Sequence, residues 1–394
     1  MAKLAPISDY VWFQEGPGVR NTQYTTSGVK LLNVANLVDG RVDLSTSDRY
    51  ISTEEAYGRY KHFLVDPDDF IIASSGIQID YFDQKMGFVS EDQLPLCMNT
   101  STIRFKPIDE GELDMRYFMY YLKSNSFKQQ LSKYIVGSAQ LNFGPTHLKK
   151  MTFPVVDVEQ QHYISMVLYK ADELISLRKK QLQKLDDLVK SRFVEMFGEQ
   201  GDNPYGFIVG TLNDVAEIYL GLTHTPMYID EGKPFLSVRD ISSGKIDFSN
   251  CHYISETEFD SLPKGARPKE ADILFCRVGT IGKPVIIPKG TPEFGTFVSV
   301  GFLRRKERVI NEYLKAWMED PFFMKQVNDN VAGASQINLN TGWLKNFRIL
   351  IPPLELQRSF ANNVMQIEKT KLTVQQGLDK LELLKQSLMQ KYFG

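Results

Sequence analysis

The sequence predicts an α+β protein built from two pseudo-symmetric mixed domains that are separated by an antiparallel coiled coil of two long helices. Three observations predict it. The chain repeats itself at a spacing of 196 residues. Each copy opens with short β-branched segments bounded by Gly, Pro or Asp, the pattern of strands. Each closes on a long stretch with heptad spacing, the pattern of a coiled coil.

The loop Gly137-Ser138-Ala139-Gln140-Leu141-Asn142 anchors the repeat against Gly333-Ala334-Ser335-Gln336-Ile337-Asn338. The same shift carries Leu148-Lys149 onto Leu344-Lys345, Glu159 onto Glu355, Gln161 onto Gln357 and Phe197-Gly198 onto Phe393-Gly394. Upstream the match needs small gaps, as in Tyr50-Ile51-Ser52 against Tyr253-Ile254-Ser255. A period this long is no solenoid, whose units run to roughly 20 to 50 residues. It divides the chain into a first mixed domain over 1–155, a long helix over 156–200, a second mixed domain over 201–353 and a second long helix over 354–394. Each copy has the length and apolar content for its own core.

Within the mixed domains, Val29 to Val34, Phe70 to Ala73, Ile273 to Cys276 and Val285 to Ile287 read as strands. One helix is expected at Met115 to Lys133 and its counterpart at Asn311 to Asn328. Pro154 and Pro352-Pro353 close the mixed regions, because proline ends a strand and suits the first turn of a helix. From Glu159 to Met196 and from Glu355 to Tyr392 there is no proline and one glycine, Gly377. Ile164, Leu168, Ala171, Ile175, Leu182, Leu185, Val189 and Met196 hold one seam, and Phe360, Val364, Ile367, Val374, Leu378, Leu381, Leu388 and Tyr392 the other. At 1.5 Å per residue each helix would be roughly 57 Å long. Such a helix needs a partner. It either folds onto its own domain or pairs with the other helix, which would put the domains at opposite ends and separate two readers by roughly 17 base pairs of duplex. Lys371, Lys385, Arg178 and Arg192 interrupt the seams with no evident reason in the sequence.

Composition narrows the classes. Three cysteines, Cys97, Cys251 and Cys276, make neither a disulfide framework nor a zinc site, and point to a reducing cytoplasm. Nowhere do about 18 apolar residues run together, so no membrane span is expected. The net charge of -2 gives no global attraction to nucleic acid, and polyanion binding would need a local concentration of Lys and Arg.

The run Gly333, Gln336, Asn338, Leu344-Lys345 and Ile351-Pro352-Pro353-Leu354-Glu355-Leu356-Gln357 resembles the specificity subunit of Type I restriction-modification systems. Its target recognition domains end in a Gly, Gln and Asn loop, a strand, and Pro-Leu-Glu-x-Gln opening a long helix. The first copy keeps Glu159 and Gln161 but has Asp157-Val158 before them. Asp272 to Lys283 resembles the family's strand and glycine turn, echoed in the first copy as Asp69 to Gly76. The resemblance implies a non-catalytic subunit that reads a split, asymmetric sequence in double-stranded DNA, one half per target recognition domain. Its helices would set the spacing and hold two modification (methyltransferase) subunits, and restriction (endonuclease/translocase) subunits would join them. No cofactor is expected in this chain. S-adenosylmethionine, ATP and Mg²⁺ would belong to the partner subunits.

Phosphate contacts favour Arg, Lys and small donors, whereas base reading in the major groove favours Arg on guanine and Asn or Gln on adenine. The second domain offers Arg277, Thr280 and Lys283 in the glycine turn, Ser335, Gln336 and Asn338 in the loop, and His224 and Arg239. The first offers Ser138, Gln140 and Asn142, then Ser74, Ser75, Gln78 and Tyr81, and Arg20, Asn21 and Tyr24. The bland alternative for the Gln and Asn residues is that they bond local backbone to shape a turn, and for a lone arginine, solvation. The run Arg304, Arg305, Lys306 and Arg308 could track phosphates or simply be solvated.

No Asn-Pro-Pro-aromatic motif of an adenine methyltransferase and no Walker phosphate loop is present. Asp202-Asn203-Pro204-Tyr205 lacks the second proline and reads as a linker. Asp68, Asp83 and Lys85 could form a metal-dependent nuclease site, but the repeat does not copy them. A coiled-coil protein scaffold is the remaining alternative.

Overall fold

The structure is a computed structural model that describes residues 3–134, 141–279, 281–331 and 338–394. It divides into two compact units, one of Met1–Arg178 with Gly377–Gly394 and one of Lys179–Gln376. Each unit holds one mixed domain with a stretch of each long helix.

In the first unit a four-stranded sheet runs in the order Val11–Glu15, Thr102–Pro107, Phe70–Ala73 and Met86–Phe88, all neighbours antiparallel. Phe70–Ala73 is buried at all four positions, as a short uninterrupted apolar run demands. A three-stranded sheet sets Val29–Leu32 between Leu96–Met98, parallel, and Tyr50–Ile51, antiparallel. Lys3–Pro6 pairs with Thr152–Val155 just before the first long helix. Phe70, Phe105, Phe118, Phe153, Tyr117 and Tyr121 form the centre of the core.

The second unit repeats this topology. Ala216–Leu220, Val300–Arg305, Ile273–Cys276 and Val285–Ile286 make the four-stranded antiparallel sheet. Lys233–Leu236 lies between His252–Ile254 and Gly295–Thr296 in the three-stranded one. Ile208–Thr211 pairs with Arg348–Ile351 ahead of the second long helix. The strands expected from sequence all form, Phe70–Ala73 and Ile273–Cys276 with the expected bounds and the other two shortened to Val29–Leu32 and Val285–Ile286.

The single helix expected in each domain is two. Met115–Lys123 and Asn125–Tyr134 are divided at Ser124, and Asn311–Glu319 and Pro321–Val331 at Asp320. Ser124 and Asp320 take extended backbone, with ψ of 157° and 142°. Each then caps the next helix, Ser124 Oγ accepting from the Phe127 N–H and Asp320 Oδ1 from the Phe322 N–H. Pro321 enforces the second break, since the residue before a proline avoids the helical region.

The long helices span Val158–Phe197 and Leu354–Phe393, 40 residues each. Their attachment to the domains explains the glutamines that the repeat shares. Gln161 is fully buried, donates to the carbonyls of Glu112 and Val156 and accepts from the Asp114 N–H. Gln357 does the same with Arg308, Pro352 and the Ile310 N–H. All three amide functions are used, so burial costs little. In the first unit Lys385 Nζ reaches Asp172 at 2.5 Å, and in the second Lys371 Nζ reaches Asp186 at 2.7 Å while Asn363 lies beside Met196. Within each unit, therefore, the two helix stretches run antiparallel, and two of the basic residues that break the seams are paired with carboxylates. The final turns are core elements: Phe393 packs on Tyr117 and Tyr121, and Phe197 on Tyr313 and Phe360.

Candidate nucleic-acid interface

Some of the residues singled out for DNA contact, Ser74, Ser75, Asn142 and Tyr24 in the first unit and Arg277 and Asn338 in the second, gather around the turn that leads into the long central strand. In the first unit that turn is Asn99–Ser101. Ser101, at φ +66°, accepts the Ser74 N–H through its carbonyl at 2.8 Å, and Ser75 Oγ donates to Ser101 Oγ at 2.7 Å. Ser74 O accepts the Phe143 N–H, and Asn142 pairs with Ser75. On the other side Asn99 Nδ2 donates to Tyr24 Oη at 3.3 Å and to Asn33 Oδ1 at 2.8 Å. Gly16 N–H donates to Thr102 O, and a Cβ on Gly16 would lie 2.0 Å from the Asn99 carbonyl oxygen, so only glycine lets the strands meet here.

Ser74, Ser75, Asn142 and Tyr24 thus belong to one hydrogen-bonded cluster. Ser74 is buried and half-buried Tyr24 is committed to Asn99, so both build the surface more than they face outward. Arg20, Asn21, Gln78 and Tyr81 are exposed, Tyr81 at 54%. Ser138 and Gln140 lie outside the described residues.

The second unit repeats the backbone bonds with different side chains. Gly221 N–H donates to Val300 O, Arg277 N–H to Ser299 O and Leu339 N–H to Arg277 O. Where the first unit has Ser74, Arg277 stands with its guanidinium turned inward. Its Nε donates to Leu339 O and its Nη1 to Val298 O, both at 2.9 Å, and its Nη2 to Asn338 Oδ1 at 3.2 Å. Burial pulls its pKa below the ordinary arginine value. Three of its N–H groups thus bind the protein. Asn338 and Lys283 are exposed, the latter after Gly282 at φ +84°. His224 is exposed two residues beyond Leu222, which bonds Thr296 and Val298. Arg239 is exposed but tied to Asp240 at 3.2 Å and to the Asn250 carbonyl. Thr280, Ser335 and Gln336 lie outside the described residues.

The run from Arg304 to Arg308 sits at the far end of the Val300–Arg305 strand, roughly 17 Å from Arg277's turn at 3.4 Å per residue. Arg304 there forms a two-bond pair with Asp272, at 2.9 and 2.6 Å, and Lys306 binds the Asn213 carbonyl. The nuclease constellation does not assemble. Asp68 lines a cleft of about 960 Å³ with Asp114 and Tyr169, Asp83 lines another of about 580 Å³ and pairs with Lys128, and Lys85 donates to the Leu37 carbonyl. Among the described residues no group of His, Cys, Asp or Glu is placed to hold a metal.

Two mixed domains of one topology, each followed by a long helix, make a fold that known proteins share. The model of the Type I restriction modification DNA specificity domain matches residues 17–187 and again residues 204–383. The chain belongs to this family. It is 22% identical over 357 residues to the MjaVIII specificity subunit of Methanocaldococcus jannaschii, a match covering 84% of this chain and 79% of that one. To the putative MjaX specificity subunit of the same organism it is 28% identical over 202 residues, covering 50% of this chain and 47% of the relative. To the Escherichia coli EcoBI specificity subunit it is 26% identical over 193 residues, 46% of this chain and 39% of that one. The chain's match thus spans about half or less of two of these relatives and about four fifths of the third. The crystal structure of the S subunit from M. genitalium shares its fold at a TM-score of 0.58 and 15% identity, over 100% of this chain and 96% of that one. A chain from work on complex assembly and conformational transition of the type I R-M system does so at 0.60 and 15%, over 99% and 97%.

Sequence reasoning missed the hub turns themselves. Asn99, Ser101, Val298 and Ser299 carry the clusters, yet Ser101 and Ser299 stand 198 residues apart, so the 196-residue frame does not align them. Aligning each serine that precedes a long buried strand would have found them.

Proposed function

We propose that the chain reads a bipartite, asymmetric sequence in double-stranded DNA, one half-site per recognition domain, as the non-catalytic specificity subunit of a Type I restriction-modification complex. One observation carries this reading. The two domains hold the same backbone bonds around their hub turns but differ in the side chain built into the turn, Ser74 against Arg277, and in those exposed beside it, Gln78 against Lys283 and Asn338. A shared scaffold with unlike reading chemistry suits two unlike half-sites. Ser75, Gln78, Tyr81, Asn142, Arg20 and Asn21 in the first domain, and Arg277, Asn338, Lys283 and His224 in the second, are the side chains we assign to the DNA.

The long helices set the spacing of the half-sites and dock two modification subunits, with restriction subunits joining them. Support comes from apolar side chains exposed at repeat-equivalent positions: Tyr169 at 47% and Met365 at 65%, Leu188 at 40% and Leu384 at 51%. Repeated exposed apolar positions are the mark of a surface used twice. S-adenosylmethionine, ATP and Mg²⁺ act in those partner subunits. No helix among the described residues is long and apolar enough to cross a membrane, and the DNA substrate places the complex in the cytoplasm. Methylation-sensitive sequencing of host DNA tests the reading. A two-part modified adenine motif should vanish on deletion of this chain, and an unchanged methylation pattern would refute it.

A further inference from the structure

We infer that Arg277 and Asn338 act as one unit that offers hydrogen-bond donors to the second half-site, so that the pair engages an acceptor on the DNA and rejects the amino edge of adenine. The inference rests on the DNA reading above and reverses the residue-by-residue expectation that asparagine pairs with adenine.

Chemistry decides which way the Asn338 amide points. A guanidinium has five N–H donors and no acceptor, so the Asn338 atom 3.2 Å from Arg277 Nη2 must be Oδ1. Arg277 cannot swing away, because Nε and Nη1 are held by the Leu339 and Val298 carbonyls, each at 2.9 Å. Asn338 is held too: its backbone bridges Val278, and the next residue, Leu339, donates its N–H to Arg277 O. Side chain and backbone are locked before any DNA arrives, as readers that bind without reorganisation require.

What remains for an outside partner follows by counting. Among the described residues, exposed Asn338 retains both Nδ2 hydrogens and Arg277 one hydrogen on each Nη. Adenine in the major groove presents an acceptor, N7, beside a donor, the N6 amino group, and asparagine normally grips both. A guanidinium already against Oδ1 repels the positive N6 hydrogens and occupies part of the oxygen's accepting capacity. An edge of acceptors, guanine N7 and O6, thymine O4 or a phosphate oxygen, meets no such opposition. In the first unit Ser74 stands in place of Arg277, so Asn142 has no guanidinium partner of this kind and the property belongs to the second half-site alone.

The test uses the assembled complex with its modification subunits and a duplex carrying the two-part site found by methylation sequencing. Asn338→Asp keeps an oxygen for Arg277 but removes both donors, so the bracket survives while the contact is lost. We expect at least tenfold weaker binding, with discrimination at the first half-site intact. Duplexes are then changed one position at a time in the second half: 7-deazapurines, a thymine analogue lacking O4, methylphosphonates, and purine in place of adenine to remove the amino group. The loss from N338D should be non-additive with one acceptor deletion, a base analogue identifying a base contact and a methylphosphonate a phosphate contact. The inference is overturned if N338D binds as the parent does, if its loss adds to every acceptor deletion, or if it is non-additive with loss of an adenine amino group. Failure of the DNA reading is separate and is seen first, as no preference of the parent complex for its site over scrambled DNA.

Discussion

The ammonium of Lys371 lies 2.7 Å from the carboxylate of Asp186 on the opposed helix stretch, with Glu368 at 2.8 Å on its own helix. A lysine inside an apolar seam is thereby explained, as its four-carbon stem covers the seam and its charge finds two carboxylates. Burial works against its charge, but the two carboxylates outweigh it and raise its pKa. Because the folded state favours the charged form, the contribution is complete at neutral pH and fades as pH climbs above the ordinary lysine value of 10.5. Asp186 is 48% exposed, so the pair contributes about 0.5 to 1 kcal/mol at most. Lys371→Met keeps the stem over the seam and removes only the charge, so it should cost no more than that by urea unfolding, less in high salt, while Lys371→Leu should hold or raise stability. A large, salt-insensitive loss in K371M would contradict a half-exposed pair.

The ion pairs made by Asp69 and by its counterpart Asp272 should differ in cost. Arg104 and Asp69 are 7% and 2% exposed at 3.1 Å, and Arg104 also binds Leu64 O and Gln14 Oε1. Asp69→Ala strands a buried guanidinium and should cost roughly 3 to 5 kcal/mol. Asp272→Ala in the second domain leaves Arg304, 30% exposed, able to reach water, and should cost about 1.5 to 3 kcal/mol. Since two domains need not unfold together, amide exchange in Phe70–Ala73 and Ile273–Cys276 is the better measure. Equal losses of protection would show that exposure does not govern the difference.

Legibility in the sequence followed how local each constraint was. The long helices were readable almost to the residue because heptad spacing and the absence of proline act over 40 positions at once. The break at Ser124 was not, since serine tolerates a helix interior and only its capping of Phe127 reveals the corner. The break at Asp320 was, through Pro321, and was overlooked. At the candidate interface, the residue types of Arg277 and Asn338 were legible but their direction was not: whether a guanidinium turns outward or to the Leu339 carbonyl depends on a residue 62 positions away. Lys371 illustrates the same limit, as its partner Asp186 belongs to the other copy of the repeat.

The last turn of each long helix should behave as core. Phe393 packs at 5.2 Å from Tyr117 and Phe197 at 4.8 Å from Tyr313, centroid to centroid, and both are nearly fully buried. Replacement of either by alanine should cost roughly 3 to 5 kcal/mol. Phe393→Ala should deprotect the Met115–Lys123 helix and spare Asn311–Glu319, and Phe197→Ala should do the reverse. Deprotection of neither helix would mean that the last turns fray without consequence for the core.

Asp320 should make the second unit less stable as it ionises. Burial is the main cause that raises its pKa, with Glu199 adding to it, against the Phe322 N–H that favours the charged form. The folded chain therefore binds this proton more tightly than the unfolded chain, so the stabilisation is complete below the ordinary value of 3.8 and is lost as pH rises through the higher folded value. Asp320→Asn keeps an oxygen to cap Phe322, 2.8 Å away, and removes the ionisation. Urea midpoints followed by exchange in Pro321–Val331 should place D320N above the parent at neutral pH, with the gap closing below about pH 3.8. Curves that stay parallel across that range would mean that Asp320 titrates normally and serves only as a cap.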